Sequence, residues 1–214
     1  MKEHSFTTIA SCDTAESNSL KLLLKATAPF WLLALLFAFV TAIVRIDAML
    51  GFSSTETSIT ELGQLSLLAL ICARLLYIAK SDRNIRQAAT LMTAFFMVCA
   101  IRELDFLFDK LLHGSWIYPA LVVTGLGILL SARPKGLVLK QLADILGSKA
   151  GALLMLSMAM LLVFSRLWGM GDFWTEVMGV EYMRAVKRTS EEGLELLSYT
   201  MIAYSVLQIK FIRD

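Results

Sequence analysis

The sequence has few residues of the kinds that build metal and disulfide sites. It holds only two histidines and three cysteines in 214 residues. His4 lies in the polar N-terminal tail, far along the chain from His113, which excludes a zinc site made of three histidines within one chain. Cys12, Cys72 and Cys99 are an odd set with no metal-ligand spacing, so a disulfide framework is excluded as well.

Charged residues are scarce for a chain of this length. They make up 18% of the sequence, against 57% hydrophobic residues, and the mean hydropathy is +0.67. A soluble domain of this size is much less apolar. The chain has no fixed-period repeat and no polar segment long enough to fold as a separate soluble domain. We therefore predict an all-α, polytopic integral membrane protein.

Six apolar segments are long enough to cross about 30 Å of hydrocarbon at about 1.5 Å per residue. They cover roughly residues 29–45, 58–79, 87–113, 116–132, 148–168 and 189–211. We predict that residues 26–214 form a single domain, a six-transmembrane-helix bundle, after a flexible cytoplasmic N-terminal tail over residues 1–25. Residues 169–188 carry aromatic and methionine side chains at near-helical spacing, which predicts a short outer interfacial helix between helices five and six.

The basic residues predict which way the helices cross. With the N-terminus in the cytoplasm, twelve of the 20 basic residues fall in inner segments and five in outer segments. This excess follows the positive-inside rule and predicts a multi-pass protein of the plasma (inner) membrane with both termini cytoplasmic. Twelve of the 18 acidic residues fall in the outer half. The rule makes no demand on acids, so their excess points to function at the outer end.

Four ionisable residues share one narrow arc of predicted helix three: Arg102, Asp105, Asp109 and His113. Such groups cost roughly 2.5 to 3.5 kcal/mol each at mid-membrane, so they need partners or a function. Asp105 and Asp109 lie at the C-terminal end of the predicted helix, where its dipole disfavours negative charge. We expect a cationic group beside them.

Acidic residues on two other predicted helices lie at the same outer end of the bundle. Glu61 follows Ser58 by three residues and Glu192 follows Thr189 by three, the spacing of a capping box. Either glutamate can therefore be a helix cap without a further role. Glu195 lies one turn deeper, where capping does not explain a carboxylate, so we expect it to face the site.

Carboxylate and imidazole groups arranged between helices are the usual metal ligands of helical bundles. We predict a divalent metal held by Asp105, Asp109, His113, Glu195 and Glu192. Zinc, manganese or iron would suit this set, whereas an all-oxygen subset would suit magnesium or calcium. The predicted catalytic residues are Asp105, Asp109, Glu195 and Arg102. A structural alternative stays open, in which Arg102 pairs with an aspartate of its own helix.

Three functions stay open at this point. The first is a metal-dependent hydrolase or transferase that acts on a lipid or lipid-linked substrate at the outer leaflet. The second is a non-catalytic membrane subunit or sensor in which the charged residues clasp the helices together. The third is a component of a cation or proton transporter or channel. The expected partners are membrane lipid and a second copy or another membrane protein, and no nucleic acid.

Overall fold

The computed structural model describes residues 4–51, 58–110, 112–132 and 136–209, and of residues 4–18 and 20 it describes the backbone alone. These residues form helices joined by turns, with no β-strand among them, which confirms the all-α prediction. The helices are α1 (His4–Leu50), α2 (Ile59–Ser81), α3 (Arg86–Glu103), α4 (Asp105–Asp109), α5 (Ile117–Ser131), α6 (Leu137–Leu146), α7 (Lys149–Ala159), α8 (Ser165–Gly169), α9 (Gly171–Met178) and α10 (Arg184–Leu207). A π-helical turn, Met160–Phe164, joins α7 to α8, and a 3₁₀ turn, Gly179–Glu181, follows α9.

Among the residues that the structure describes, three helical segments are long and apolar enough to cross a membrane. They are Lys21–Leu50 in α1, Ile59–Ser81, which is α2, and Lys149–Gly169, which runs from α7 through the π-helical turn into α8. These segments support an integral membrane protein. The apolar helix α5 has only 15 residues. Six crossings, the outer interfacial helix and the orientation of the termini stay predictions.

The chain divides into two compact units, the residues up to Phe39 and those from Val40 onward. The first unit is the greater part of α1. Within it the Thr27 hydroxyl donates to the Leu23 carbonyl at 2.9 Å, and the rings of Phe30 and Trp31 meet edge to face. The second unit holds the end of α1 and all the other described helices. The predicted boundary between a flexible tail and the membrane domain at residue 25 stays a prediction.

The second unit is built around α2, α3 and α10. Helix α2 packs against α3 and α10, while α3 also packs against α5 and α6, and α10 against α7 and α8. The core between them is apolar and includes Leu68, Ile71, Phe96, Ile202 and Val206. Helices α3 and α5 approach closely because α5 presents Gly127, where a Cβ atom would overlap that of Ala94. Such close contact between small residues is the usual packing of membrane helices.

Two separate sets of side-chain contacts satisfy the free backbone N–H groups at the N-terminus of α2. Ser58 and Glu61 form the predicted capping box, with Glu61 N–H donating to Ser58 Oγ at 3.0 Å and Ser58 N–H to Glu61 Oε2 at 3.2 Å. Asp47, at the end of α1, accepts the N–H groups of Ile59 at 3.0 Å and Thr60 at 2.7 Å. A carboxylate there also complements the helix dipole. Asp47 is buried and thereby fixes the end of α1 to the start of α2.

Helix α3 takes its N-terminal cap from another helix. Its own N-cap residue is Ile85, which has no side-chain acceptor. Gln141 of α6 supplies the acceptor: its Oε1 receives the Ala88 N–H at 3.0 Å, and its Nε2 donates to Gln87 Oε1 at 2.8 Å. Since Gln141 is fully buried, the Ala88 N–H group at the start of α3 would be left without an acceptor if this bond were lost.

Replacing Gln141 with leucine is expected to lower the free energy of unfolding by about 1 to 3 kcal/mol, because a buried donor loses its acceptor. Denaturant titration of the purified protein measures the loss, and the Ala88 amide should exchange faster with solvent. Gln141→Glu is the control, since it keeps an acceptor near a helix N-terminus and should lose less. Equal losses for the two variants would show that α6 does not act through this cap.

Candidate functional site

Helix α3 ends at Glu103, ten residues before the end of the predicted helix three. Leu104 leaves the helical conformation, with φ −95° and ψ 12°, and a separate turn of helix, α4, follows. The prediction of one continuous helix through His113 is therefore wrong. Asp105 begins α4 and Asp109 ends it, so Asp105 does not lie at a helix C-terminus. The four residues of the predicted arc do not share one helical face.

Asp109 and His113 interact with each other. Asp109 Oδ2 lies 3.1 Å from His113 Nδ1, and its Oδ1 accepts the Gly114 N–H at 2.8 Å. The His113 side chain is 95% exposed. Gly114 has a φ of +76°, a conformation that favours glycine. These contacts close the turn that follows α4, so Asp109 and His113 form a local pair.

Helix α10 begins at Arg184, five residues before Thr189, so the capping interpretation of Glu192 is wrong. Glu192 lies two turns inside the helix and contacts Arg188, one turn before it. Arg188 also lies 2.8 Å from Glu61 Oε1. The Gln64 side chain donates to the Glu192 carbonyl at 3.0 Å. One arginine thus joins the start of α2 to the first half of α10.

The guanidinium of Arg188 stays charged. Burial would lower the pKa of Arg188, but its hydrogen bonds to Glu192 and Glu61 raise that pKa above its ordinary value. A charged donor between two carboxylates makes stronger hydrogen bonds than a neutral one. Arg188 was absent from the predicted site residues because the predicted helix six started one residue after it.

A second ion-pair cluster joins the end of α3 to the middle of α10. Arg102 Nη2 lies 2.9 Å from Glu103 Oε1 and 3.5 Å from Glu195 Oε1. The Tyr199 hydroxyl donates to Glu103 Oε1 at 2.9 Å. Two predicted residues, Arg102 and Glu195, are therefore brought together, although the partner of Arg102 is not an aspartate of its own helix. Glu103 and Tyr199 were not among the predicted site residues.

Both clusters border one cavity of about 730 Å³ at this end of the second unit. Its basic lining residues are Arg102, Lys110, Arg166, Arg184 and Arg188. Its acidic lining residues are Glu61, Glu103, Asp105, Asp109, Glu191 and Glu195. Charges of both signs thus meet around a space that has the volume of a small-molecule site.

Two arginines of the cavity make no ion pair with any carboxylate in the described part of the chain: Arg166 on α8 and Arg184 at the start of α10. Arg102 and Arg188, by contrast, each contact two carboxylates. Arg166 and Arg184 are exposed. The cavity therefore combines arginines that hold the helices together with arginines that make no ion-pair contact, although Arg166 also acts electrostatically on Glu195.

Glu191 lies directly against α8. A Cβ atom at Gly169 would overlap the Glu191 carboxylate, so a larger residue there would require the flexible Glu191 side chain to move. Lys187, one turn earlier, approaches Glu191 Oε2 at 3.7 Å. Gly169 ends the third segment that can cross a membrane, so Glu191 of α10 lies beside the end of that segment.

The five predicted metal ligands are divided among different contacts. Asp109 pairs with His113, Glu195 with Arg102 and Glu192 with Arg188, while Asp105 lines the cavity beside them. Within residues 4–51, 58–110, 112–132 and 136–209, no three His, Cys, Asp or Glu side chains lie close enough to hold a metal ion. The residues as they stand do not fit a metal centre. Metal binding stays a prediction from the sequence.

The predicted interfacial segment contains helix α9, followed by the 3₁₀ turn. Trp174 of α9 is buried against Trp168 and Phe173, and its indole N–H donates to the Trp168 carbonyl at 2.7 Å. Val177 and Met183 remain exposed. This segment thus packs one aromatic side chain into the protein, and its contact with a membrane surface stays a prediction.

The fold and the cavity define a class, an all-helical protein with three helices that can cross a membrane and a charged cavity between α3, α8 and α10. Comparison with known proteins finds no matching family model, no similar curated protein and no similar solved structure. The functional argument therefore rests on the residues of the cavity.

Proposed function

We propose that this chain is an integral membrane protein that binds a lipid or lipid-linked molecule by its anionic group in the charged cavity. The protein then hydrolyses this molecule or transfers a group from it. The observation that carries the proposal is the pair Arg166 and Arg184, which line the cavity without a carboxylate partner among the described residues. The planar guanidinium matches phosphate and carboxylate groups with two parallel hydrogen bonds.

The position of Arg166 favours a ligand that belongs to the membrane. Arg166 lies three residues before Gly169, the last residue of a membrane-crossing segment. At about 1.5 Å per residue it sits within about 5 Å of the end of that segment, the depth at which lipid headgroups begin. At this depth the Arg166 side chain is closer to lipid headgroups than to dissolved molecules, so a lipid is the favoured ligand.

The carboxylates at the cavity wall supply groups for proton transfer. Glu103 and Glu195 both contact Arg102, which holds them at the cavity surface, and the Tyr199 hydroxyl donates to the same Glu103 oxygen as Arg102. A positioned carboxylate is a common general acid or base in hydrolysis and transfer reactions.

The metal-dependent form of the proposal has a direct measurement. Elemental analysis before and after chelation should show about one or two equivalents of a divalent metal.

Binding of a short-chain anionic lipid tests the proposal. Dihexanoyl phosphatidic acid, below its micelle concentration, should bind the purified protein. Arg166→Gln and Arg184→Gln should each raise the Kd of this lipid by about tenfold, as expected for one lost charged hydrogen bond. Arg45→Gln, a change at an exposed arginine that does not line the cavity, is the control and should leave Kd unchanged.

Two outcomes would contradict the binding proposal. One is equal affinity for dihexanoylglycerol, which lacks the phosphate group, because this would show that the lipid chains and not the anionic group are recognised. The other is an unchanged Kd in both arginine variants.

A non-catalytic subunit or sensor is the second candidate, favoured by the Arg188 contacts with Glu61 and Glu192, which resemble a clasp between α2 and α10. Under this alternative the purified protein would bind none of the short-chain lipid. A transporter is less favoured, because the core is apolar and its buried hydroxyls, such as those of Ser198 and Thr200, donate to carbonyls of their own helix. Ion flux in liposomes tests that function directly.

A further inference from the structure

A second cavity, of about 350 Å³, lies away from the charged one, between α3, α6 and α7. Every residue that lines it is apolar: Leu91, Met92, Phe95, Phe96, Leu142, Leu146, Leu154, Met155 and Met158. It offers no polar partner that would hold water, so its natural occupant is apolar. Three of its side chains are methionines, which adapt to flexible ligands.

The depth of this cavity matches the fatty-acyl region of one leaflet. Its α7 residues lie five to nine positions into the membrane-crossing segment that starts at Lys149. At about 1.5 Å per residue this places them about 7 to 14 Å from that end of the segment. The cavity also opens sideways, since Phe95 and Met155 are 40% and 48% exposed. An acyl chain can therefore enter it from the bilayer.

The nearby end of α7 carries an exposed basic group. Lys149 begins α7, at the end of the segment closest to the cavity. The α6 helix supplies Leu142 and Leu146 to the cavity, while its exposed charged residues, Lys140 and Asp144, have opposite signs. A lipid whose chain fills the cavity would have its headgroup at the level of Lys149, where a negative charge is attracted.

We propose that this apolar cavity binds one acyl chain of an anionic phospholipid whose headgroup lies at the level of Lys149. The site is separate from the charged cavity and does not depend on the function proposed for it. A lipid held in this way fills the space between α3 and α7 and makes apolar contacts with both helices.

Native mass spectrometry of the full chain with phosphatidylglycerol tests the proposal. The protein should retain about one phosphatidylglycerol per chain, and Met155→Trp, which fills the entrance, should weaken this binding by about tenfold. Leu156→Trp is the matched control, because Leu156 is the next residue of α7, is 56% exposed and does not line the cavity. It should retain the lipid as the parent protein does.

Two further measurements test lipid binding without the Met155→Trp variant, in case that variant folds poorly. Lys149→Gln should remove the preference for phosphatidylglycerol over phosphatidylcholine, whereas Lys140→Gln, on the face of α6 away from the cavity, should keep it. A phosphatidylglycerol with a photoreactive acyl chain should label residues 91–96 and 154–158 of the parent protein. Equal retention by the Met155→Trp and Leu156→Trp variants, or labelling spread evenly over α5 and α7, would overturn the proposal.

Discussion

Replacing Arg188 with methionine is expected to lower the free energy of unfolding by about 3 kcal/mol, the lower end of the range for breaking a buried ion pair. The guanidinium joins Glu61 on α2 to Glu192 on α10, and its side chain is 23% exposed. Its removal leaves two partly buried carboxylates close together without a cation. Denaturant titration of the purified protein measures the change.

Lys187→Met is the matched control for this prediction. Lys187 is the preceding residue of the same helix, is 25% exposed and contacts one carboxylate, Glu191, at 3.7 Å. An i,i+4 pair of this kind contributes only about 0.3 to 0.5 kcal/mol. If the two variants lose the same stability, Arg188 does not act as a link between α2 and α10, and the second candidate function loses its main support.

The sequence was sufficient where a local rule applies. The Ser58 and Glu61 spacing predicted a capping box that the structure contains. The reasoning that capping could not explain Glu195 led to a carboxylate that the structure places beside Arg102 at the cavity. The capping box depends on residues within one turn of a helix start, which helix geometry constrains closely. Glu195 was found because a carboxylate inside an apolar helix needs a partner.

The missed features depend on contacts between distant segments. No proline or glycine lies between Ala100 and Asp105, so nothing in the sequence marks the end of α3 at Glu103. The start of α10 was missed because hydropathy was used to find it, and its first turns are charged. The available signal was two opposite-charge pairs at a spacing of four residues, Lys187 with Glu191 and Arg188 with Glu192, since such pairs stabilise a helix that continues beyond its apolar part.

Replacing Arg102 with methionine is the second change with a large expected effect, a loss of about 3 kcal/mol in the free energy of unfolding. Arg102 is 33% exposed, which reduces the cost, but the Glu103 and Glu195 side chains that it contacts are 14% and 9% exposed. Both would remain as buried carboxylates without their cation. The hydrogen bond from Tyr199 stabilises Glu103 and does nothing for Glu195.

Arg166→Met provides the comparison that separates structure from binding. Arg166 lines the same cavity but makes no ion pair with a described carboxylate, so its loss should change stability by no more than about 0.5 kcal/mol, as is usual for an exposed position. The same variant should lose affinity for dihexanoyl phosphatidic acid, because its guanidinium is one of the two available to a ligand. If Arg166→Met is instead as destabilising as Arg102→Met and leaves lipid affinity unchanged, Arg166 is structural, and the same result for Arg184→Met would show that the proposed binding function is wrong.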